Sequence, residues 1–175
     1  MKLPASSISI LAFALALSVA QVATGADVIN QPTLTLEGAK RVAAAAISYA
    51  RSHGAPGGSI AVVDAGGHTL YLERLDGTFA AASDVSIGKA RTAVNFGKPT
   101  RGLEESINKG RAALLPVADV TWFTPLIGGI PIVIDGHVVG AIGVSGAKTQ
   151  DQDEEVAIAG AMAVTPSAAG AKEIP

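Results

Sequence analysis

Pro125-Leu-Ile-Gly-Gly-Ile-Pro-Ile-Val-Ile-Asp-Gly-His-Val-Val-Gly-Ala-Ile-Gly-Val-Ser-Gly146 is the stretch on which the fold turns. Two runs rich in Ile and Val flank Asp135-Gly136, a pair that tolerates the positive φ angles of a two-residue hairpin turn. With those two residues as the loop, Ile134 is expected opposite His137, Ile132 opposite Val139 and Ile130 opposite Ala141. Their side chains then share one face, and Pro131, Val133, Val138, Gly140, Ile142 and Val144 share the other. Both faces are apolar, so the hairpin should lie at the centre of a sheet, covered above and below by helices, partner subunits or a ligand. Gly128, Gly129, Gly140, Gly143 and Gly146 are unusual in strands and mark close approach to the backbone, most simply by a packed helix.

Outward from this hairpin, the chain has 175 residues, enough for one domain with a real core. It is 49% hydrophobic but only 4% aromatic, with 20 glycines, so its elements should pack closely. A net charge of −2 without a basic stripe argues against nucleic acid as a partner. The lack of cysteine excludes thiol chemistry and Cys-ligated zinc. Lys2 followed by the apolar run Ile8 to Ala20 and small residues predicts a signal peptide over residues 1–26. Cleavage is expected after Ala20 or Ala26, which makes the protein periplasmic or secreted, with no membrane contact beyond that segment. Residues 34–164 are expected to form the domain, and 165–175 a flexible tail.

Thr35 should cap a first helix with Leu36, Ala39, Ala43, Ala46, Ile47 and Ala50 at helical spacing, ending near His53 and Gly54. Ser59 to Val63 and His68 to Arg74 flank the turn-forming Asp64-Ala65-Gly66-Gly67 and predict a first hairpin. Ala80 to Phe96 reads as a helix apolar on two sides, hence buried on two sides, which suggests self-association. Arg101 to Lys109 predicts a short helix, Arg111 to Thr121 an irregular segment, and Thr149 the cap of a last helix over Gln150 to Val164. The fold class is α+β: one antiparallel sheet of about five strands flanked by helices.

Enzyme signatures are missing. Gly143-Val144-Ser145-Gly146-Ala147 is not a nucleophile elbow, and Gly88-Lys89-Ala90 is not a phosphate loop. His53, His68 and His137 sit at predicted turns or helix ends, where an exposed or capping role is the ordinary one; His137, beside the central hairpin, is the best placed to meet an iron. The run Asp151-Gln152-Asp153-Glu154-Glu155 offers oxygen ligands to a hard cation, although the helix dipole explains it more cheaply. Lys89 and Arg91 lie in an otherwise apolar helix, so each either pairs with a carboxylate such as Asp84 or Asp64, or meets an anionic ligand. Trp122-Phe123-Thr124 concentrates the scarce aromatic surface, either as core filling or as a wall for a flat apolar ligand.

Taken together, Ile60-Ala-Val-Val-Asp-Ala-Gly-Gly67, Ile87-Gly-Lys-Ala-Arg-Thr-Ala93, Gly128-Gly-Ile-Pro-Ile132 and Val139-Gly-Ala-Ile-Gly-Val-Ser-Gly146 resemble the motifs of the heme-binding GlcG/HbpS family, of the DUF336 type. Gln152-Asp153-Glu154 matches as well, and the resemblance covers Leu34 to about Val164. It implies a profilin-like sandwich that assembles into higher homo-oligomers and binds heme or a related tetrapyrrole, with a corrinoid as the alternative. It places heme contacts at Thr121, Trp122, Phe123 and Thr124. Phe96, Lys89 and Arg91 complete the candidate heme-binding set, the two cations facing propionates. Thr124, His137 and His53 are the candidates for the iron. An exported sensor, carrier or scavenger of heme is the reading that follows. The alternative is a small enzyme or accessory protein acting on a small organic acid or aromatic catabolite, with Asp64 or His137 as base.

Overall fold

The computed structural model describes residues 29–119 and 121–164. The expected signal peptide and tail lie outside them. Every element belongs to the unit that begins at Gln31.

Helix α1 (Leu36–Ser52) starts where the Thr35 hydroxyl accepts the Gly38 amide at 3.1 Å. Its buried stripe is Ala39, Val42, Ala43, Ala46, Ile47 and Ala50; Leu36, expected inside, is exposed. Strands β1 (Ser59–Asp64) and β2 (Thr69–Arg74) form the first hairpin. Its turn is closed by Asp64, whose carboxylate accepts the amides of Gly66 and His68 at 2.9 and 2.8 Å. Helix α2 (Ala82–Phe96) ends at the left-handed Gly97, and α3 (Arg101–Asn108) follows. Ala112–Asp119 forms a 3-10 helix around Pro116, where an irregular segment was expected. Strands β3 (Gly129–Ile134) and β4 (His137–Ser145) make the central hairpin, and α4 (Gln150–Ala161) closes the described chain. Thr149 caps α4 by accepting the Gln152 amide at 3.1 Å.

The strands form one antiparallel sheet in the order β2-β1-β4-β3. It has four strands among the described residues, not the five expected. The extended segment after the 3-10 helix runs along α2 instead, where the Thr124 amide donates to the Thr92 hydroxyl at 2.7 Å, not to a ladder. Pro131 lies on an edge strand, the place in a sheet where a missing amide is tolerated.

Asp135 and Gly136 carry φ angles of 50° and 78°, as a two-residue turn of this kind requires, and Ile134 pairs with His137. The next pair keeps the expected register and the rest of the hairpin does not. Val133 pairs with Val138, but Ile132 pairs with Gly140 and Ile130 with Ile142, because Val139 is a bulged extra residue. The bulge turns Ile142 and Val144 to the same face as Ile130 and Ile132, where they pack with α1 and α4. Val138 and Ala141 take the other face with Val63, Ala90, Ala93 and Val94. The hairpin is thus covered on both sides, by α1 and α4 on one and α2 on the other.

Contact with α2 is close enough to exclude side chains. A Cβ at Gly143 would overlap the Ser86 carbonyl oxygen, and one at Gly129 the Lys89 carbonyl oxygen. The second side of α2 receives residues of the same chain, with Thr124 against Gly88, so its two-sided burial does not itself call for a partner subunit.

Candidate functional site

Two polar features are organised by α2. The first is buried. Lys89, 3% exposed, donates from Nζ to Asp153 Oδ2 at 2.8 Å and to the Val144 carbonyl at 2.7 Å. The second Asp153 oxygen accepts the Ala147 amide at 2.9 Å. An apolar helix thus holds a cation because a carboxylate from α4 neutralises it, the pairing that burial demands. The partner is Asp153, not Asp84 or Asp64. Gly128 makes room for this pair: a Cβ there would meet the Val144 oxygen at 2.7 Å, Asp153 Cβ at 2.9 Å and Lys89 Nζ at 3.1 Å. Its φ of 118° is also one that only glycine adopts freely.

The second feature is an exposed aromatic face. Phe96, at the end of α2, and Phe123 have ring centroids 5.4 Å apart at 48°. Arg91, more than one turn earlier, lies over the Trp122 ring at 4.5 Å, while its Nε donates to the Gly67 carbonyl at 3.0 Å. Trp122 is held by this cation–π contact, yet it is 64% exposed. Asn95 reaches Thr121 Oγ1 at 3.4 Å. Ala118, Thr121, Trp122, Phe123 and Thr124 line an open hollow of about 500 Å³. The Thr124 hydroxyl is seated against Gly88, turned toward α2.

The structure therefore brings together Thr121, Trp122, Phe123, Thr124, Phe96 and Arg91. Lys89 lies apart from them, inside its ion pair. His137 is exposed at the β3–β4 turn. His53 caps α1, stacked on Tyr49 at 3.8 Å, with Nδ1 2.9 Å from the Tyr49 carbonyl oxygen. Its backbone carbonyl accepts Gln152 Nε2 at 3.0 Å, which sets it beside α4, on the side of the sheet away from α2. Asp64 is engaged in closing its turn, and His68 Nδ1 lies 3.4 Å from it.

The acidic run is divided between cations. Asp153 holds Lys89, while Asp151 and Glu154 each lie 2.6 Å from the Arg101 guanidinium. Hydrogen bonds to Asp151 and Glu154 hold Arg101 above its ordinary pKa. Among the described residues no group of three or more His, Asp or Glu is arranged to hold a metal ion. No described helix is long and apolar enough to cross a membrane. Sequence reading missed Asn95 and Arg101. Asn95 had a signal, standing four residues after Arg91 on the same helix face; Arg101 had none, its partners being 50 and 53 residues away.

Fold and site together define a one-sheet α+β domain with helices on both faces and an aromatic–cation surface beside its central helix. The family model described as "Haem degrading protein HbpS-like" matches residues 34–162, and the chain belongs to that family. It is 47% identical over 87 residues to protein GlcG of Escherichia coli strain K12, a match covering 50% of this chain and 63% of GlcG. HbpS of Streptomyces reticuli, in the structure of a double mutant, aligns with a TM-score of 0.70 at 34% identity, covering 91% of this chain and 97% of that one. The Klebsiella pneumoniae protein ORFY, a DUF336 protein, aligns with a TM-score of 0.73 at 28% identity, covering 79% and 95%.

Proposed function

We propose that this chain is an exported, self-associating heme-binding protein that senses, carries or scavenges heme, and that the face of Trp122, Phe123, Phe96 and Arg91 receives the porphyrin. The observation that carries the reading is Trp122. A chain with one tryptophan leaves it 64% exposed and fixes its ring under a guanidinium. An exposed aromatic platform of this kind suits a flat apolar ligand. The family's description, which names haem, points to which one.

The residues fit that group. Trp122 and Phe123 offer stacking surface. Arg91 spends only Nε on Gly67, which leaves its terminal nitrogens for a propionate. His137, exposed at the β3–β4 turn, is the candidate imidazole for the iron, since the Thr124 hydroxyl is turned toward α2 and Thr121 Oγ1 accepts from Asn95. Lys89 has no part in this, being committed to Asp153. Bound heme supplies a redox-active iron; the chain's own residues stack on the macrocycle, neutralise its acid groups and shield one face from water.

The test is a hemin titration of the chain lacking residues 1–26, followed by absorbance and by size. A sharp, saturable Soret band that weakens in Trp122→Ala is expected. Absorbance no different from that of an unrelated control protein overturns the heme reading, and saturable uptake of cobalamin instead selects a corrinoid. His137→Ala should move the Soret maximum, and His53→Ala, on the other side of the sheet, should leave it unchanged. Decay of the band under peroxide marks degradation and its persistence marks carriage. Export is tested by the N-terminal residue of protein recovered outside the cytoplasm, expected at Gln21 or Asp27.

A further inference from the structure

At the other end of the segment that carries Trp122 lies a separate cleft. It is bounded by Phe79, Val85 on α2, Leu126 and Ile127, Glu104 on α3, and the loop Ser145 to Gln150. Its volume is about 390 Å³, within the range of about 300–1,000 Å³ typical of small-molecule sites. Its walls are apolar and wet: Phe79 is 55% exposed and Leu126 46% exposed. Its floor is the Lys89–Asp153 pair together with Ser145.

The hydrogen-bonding capacity left on that floor includes two donors. An ammonium has three hydrogens. Lys89 directs two of them to Val144 and Asp153, so one remains. Each Asp153 oxygen already accepts one hydrogen bond, from Lys89 and from the Ala147 amide, and Glu104 Oε2 accepts the Ile127 amide at 2.7 Å. Ser145 is only 4% exposed, and its hydroxyl has no hydrogen-bond partner among the described residues. Every fully enclosed side-chain polar atom described does have one, so the Ser145 hydroxyl opens into the cleft. A hydroxyl left this way in a wall is costly unless something fills its bonding capacity. The floor thus offers two donors, and its positive charge is already balanced by Asp153. A full negative charge placed there would face the carboxylates of Asp153 and Glu104, against Lys89, already paired, and the exposed Lys148 at the rim.

From this we infer that the cleft binds a small neutral carbonyl compound, an amide or ketone with an aromatic or branched apolar body. The carbonyl oxygen accepts from Lys89 Nζ and Ser145 Oγ, and the body lies between Phe79, Val85 and Leu126. The inference does not rest on heme, since none of these side chains belongs to the aromatic face.

Benzamide and benzoate, the same body with a neutral and a charged head, are the probes. The chain lacking residues 1–26 is titrated with each to millimolar concentration while amide NMR shifts are followed. Benzamide is expected to give saturable shifts at Ile127, Ser145 and Ala147, and benzoate weaker ones. Ser145→Ala should weaken benzamide binding about tenfold, the effect of losing one hydrogen bond to a buried group. Leu126→Ala changes an exposed wall residue and should weaken it severalfold with the fold intact. No saturable shift with benzamide, tighter binding of benzoate, or affinity indifferent to both substitutions overturns the proposal.

Discussion

Replacing Lys89 by Met tests the buried pair on which α2, β4 and α4 converge. Methionine keeps the length and apolar stem of the side chain but removes the ammonium. Asp153, whose side chain is 9% exposed, is then left without its 2.8 Å partner, and the Val144 carbonyl without its 2.7 Å donor. Breaking a buried pair by removing one partner costs about 3–5 kcal/mol. Typical domains have about 5–15 kcal/mol in all, so about a fifth or more of the stability is at stake. For a domain of this size that lowers the melting temperature by roughly 10–20 °C. Asp153→Asn should cost somewhat less, because an amide oxygen still accepts from Lys89. In Lys89→Met with Asp153→Leu neither charge remains, and the double variant should be more stable than Lys89→Met alone. Guanidinium unfolding of the unaltered protein, Lys89→Met, Asp153→Leu and this double variant supplies the cycle. Single-variant losses below about 1 kcal/mol, the range of an exposed pair, or strictly additive losses in the double variant, would refute the reasoning.

Further predictions follow from contacts of other kinds. Gly143→Ala puts a methyl group into the backbone of α2 at Ser86, so unfolding experiments should show a loss of about 1–3 kcal/mol or more. Gly88→Ala drives Thr124 off α2; hemin affinity should fall severalfold in a titration while circular dichroism of the helices is kept. Thr35→Ala removes the acceptor for the Gly38 amide and should cost about 0.5–2 kcal/mol in denaturant. Tyr71 ionises above the usual tyrosine range because its hydroxyl donates to Glu73 Oε2 at 2.7 Å, with desolvation adding to the effect. Its folded pKa being raised, its stabilising contribution is present below the unfolded pKa and lost as pH rises through the folded one. An ultraviolet alkaline titration should show the Tyr71 step moving down in Glu73→Gln.

Much of the fold was legible because it is written locally. Asp135-Gly136 defines its own turn, Thr35 and Thr149 their own helix starts, and the two apolar faces of the hairpin require two covers. The bulge at Val139 was not legible: a β-branched residue among others carries no mark that it is unpaired, and the slip reverses the facing of Ile142 and Val144. The ion pair was half legible. A cation in an apolar helix demands a carboxylate, but the choice of Asp153 over Asp84 or Asp64 depends on a contact across 64 residues. The aromatic face was legible in composition and not in place, since only the path of the chain after the 3-10 helix lays Trp122 under Arg91. Ser145 passed unnoticed as a site residue because an unused hydroxyl is invisible until its surroundings are built.

The glycine seats at Gly129 and Gly143 also determine where the molecule can give. With no side chains between them, α2 touches β3 and β4 backbone to backbone, and the three behave as a single stiff plate. Phe96 and Arg91 ride on that plate and cannot retreat to admit a guest. Residues 121–124, the arm, rest on it through one threonine–threonine bond, one asparagine contact and a few rings. Compliance is therefore concentrated in the arm. In hydrogen exchange, amides of α2 and β4 should open last and together, and those of the arm first, so that the face proposed for heme is half anvil and half hinge.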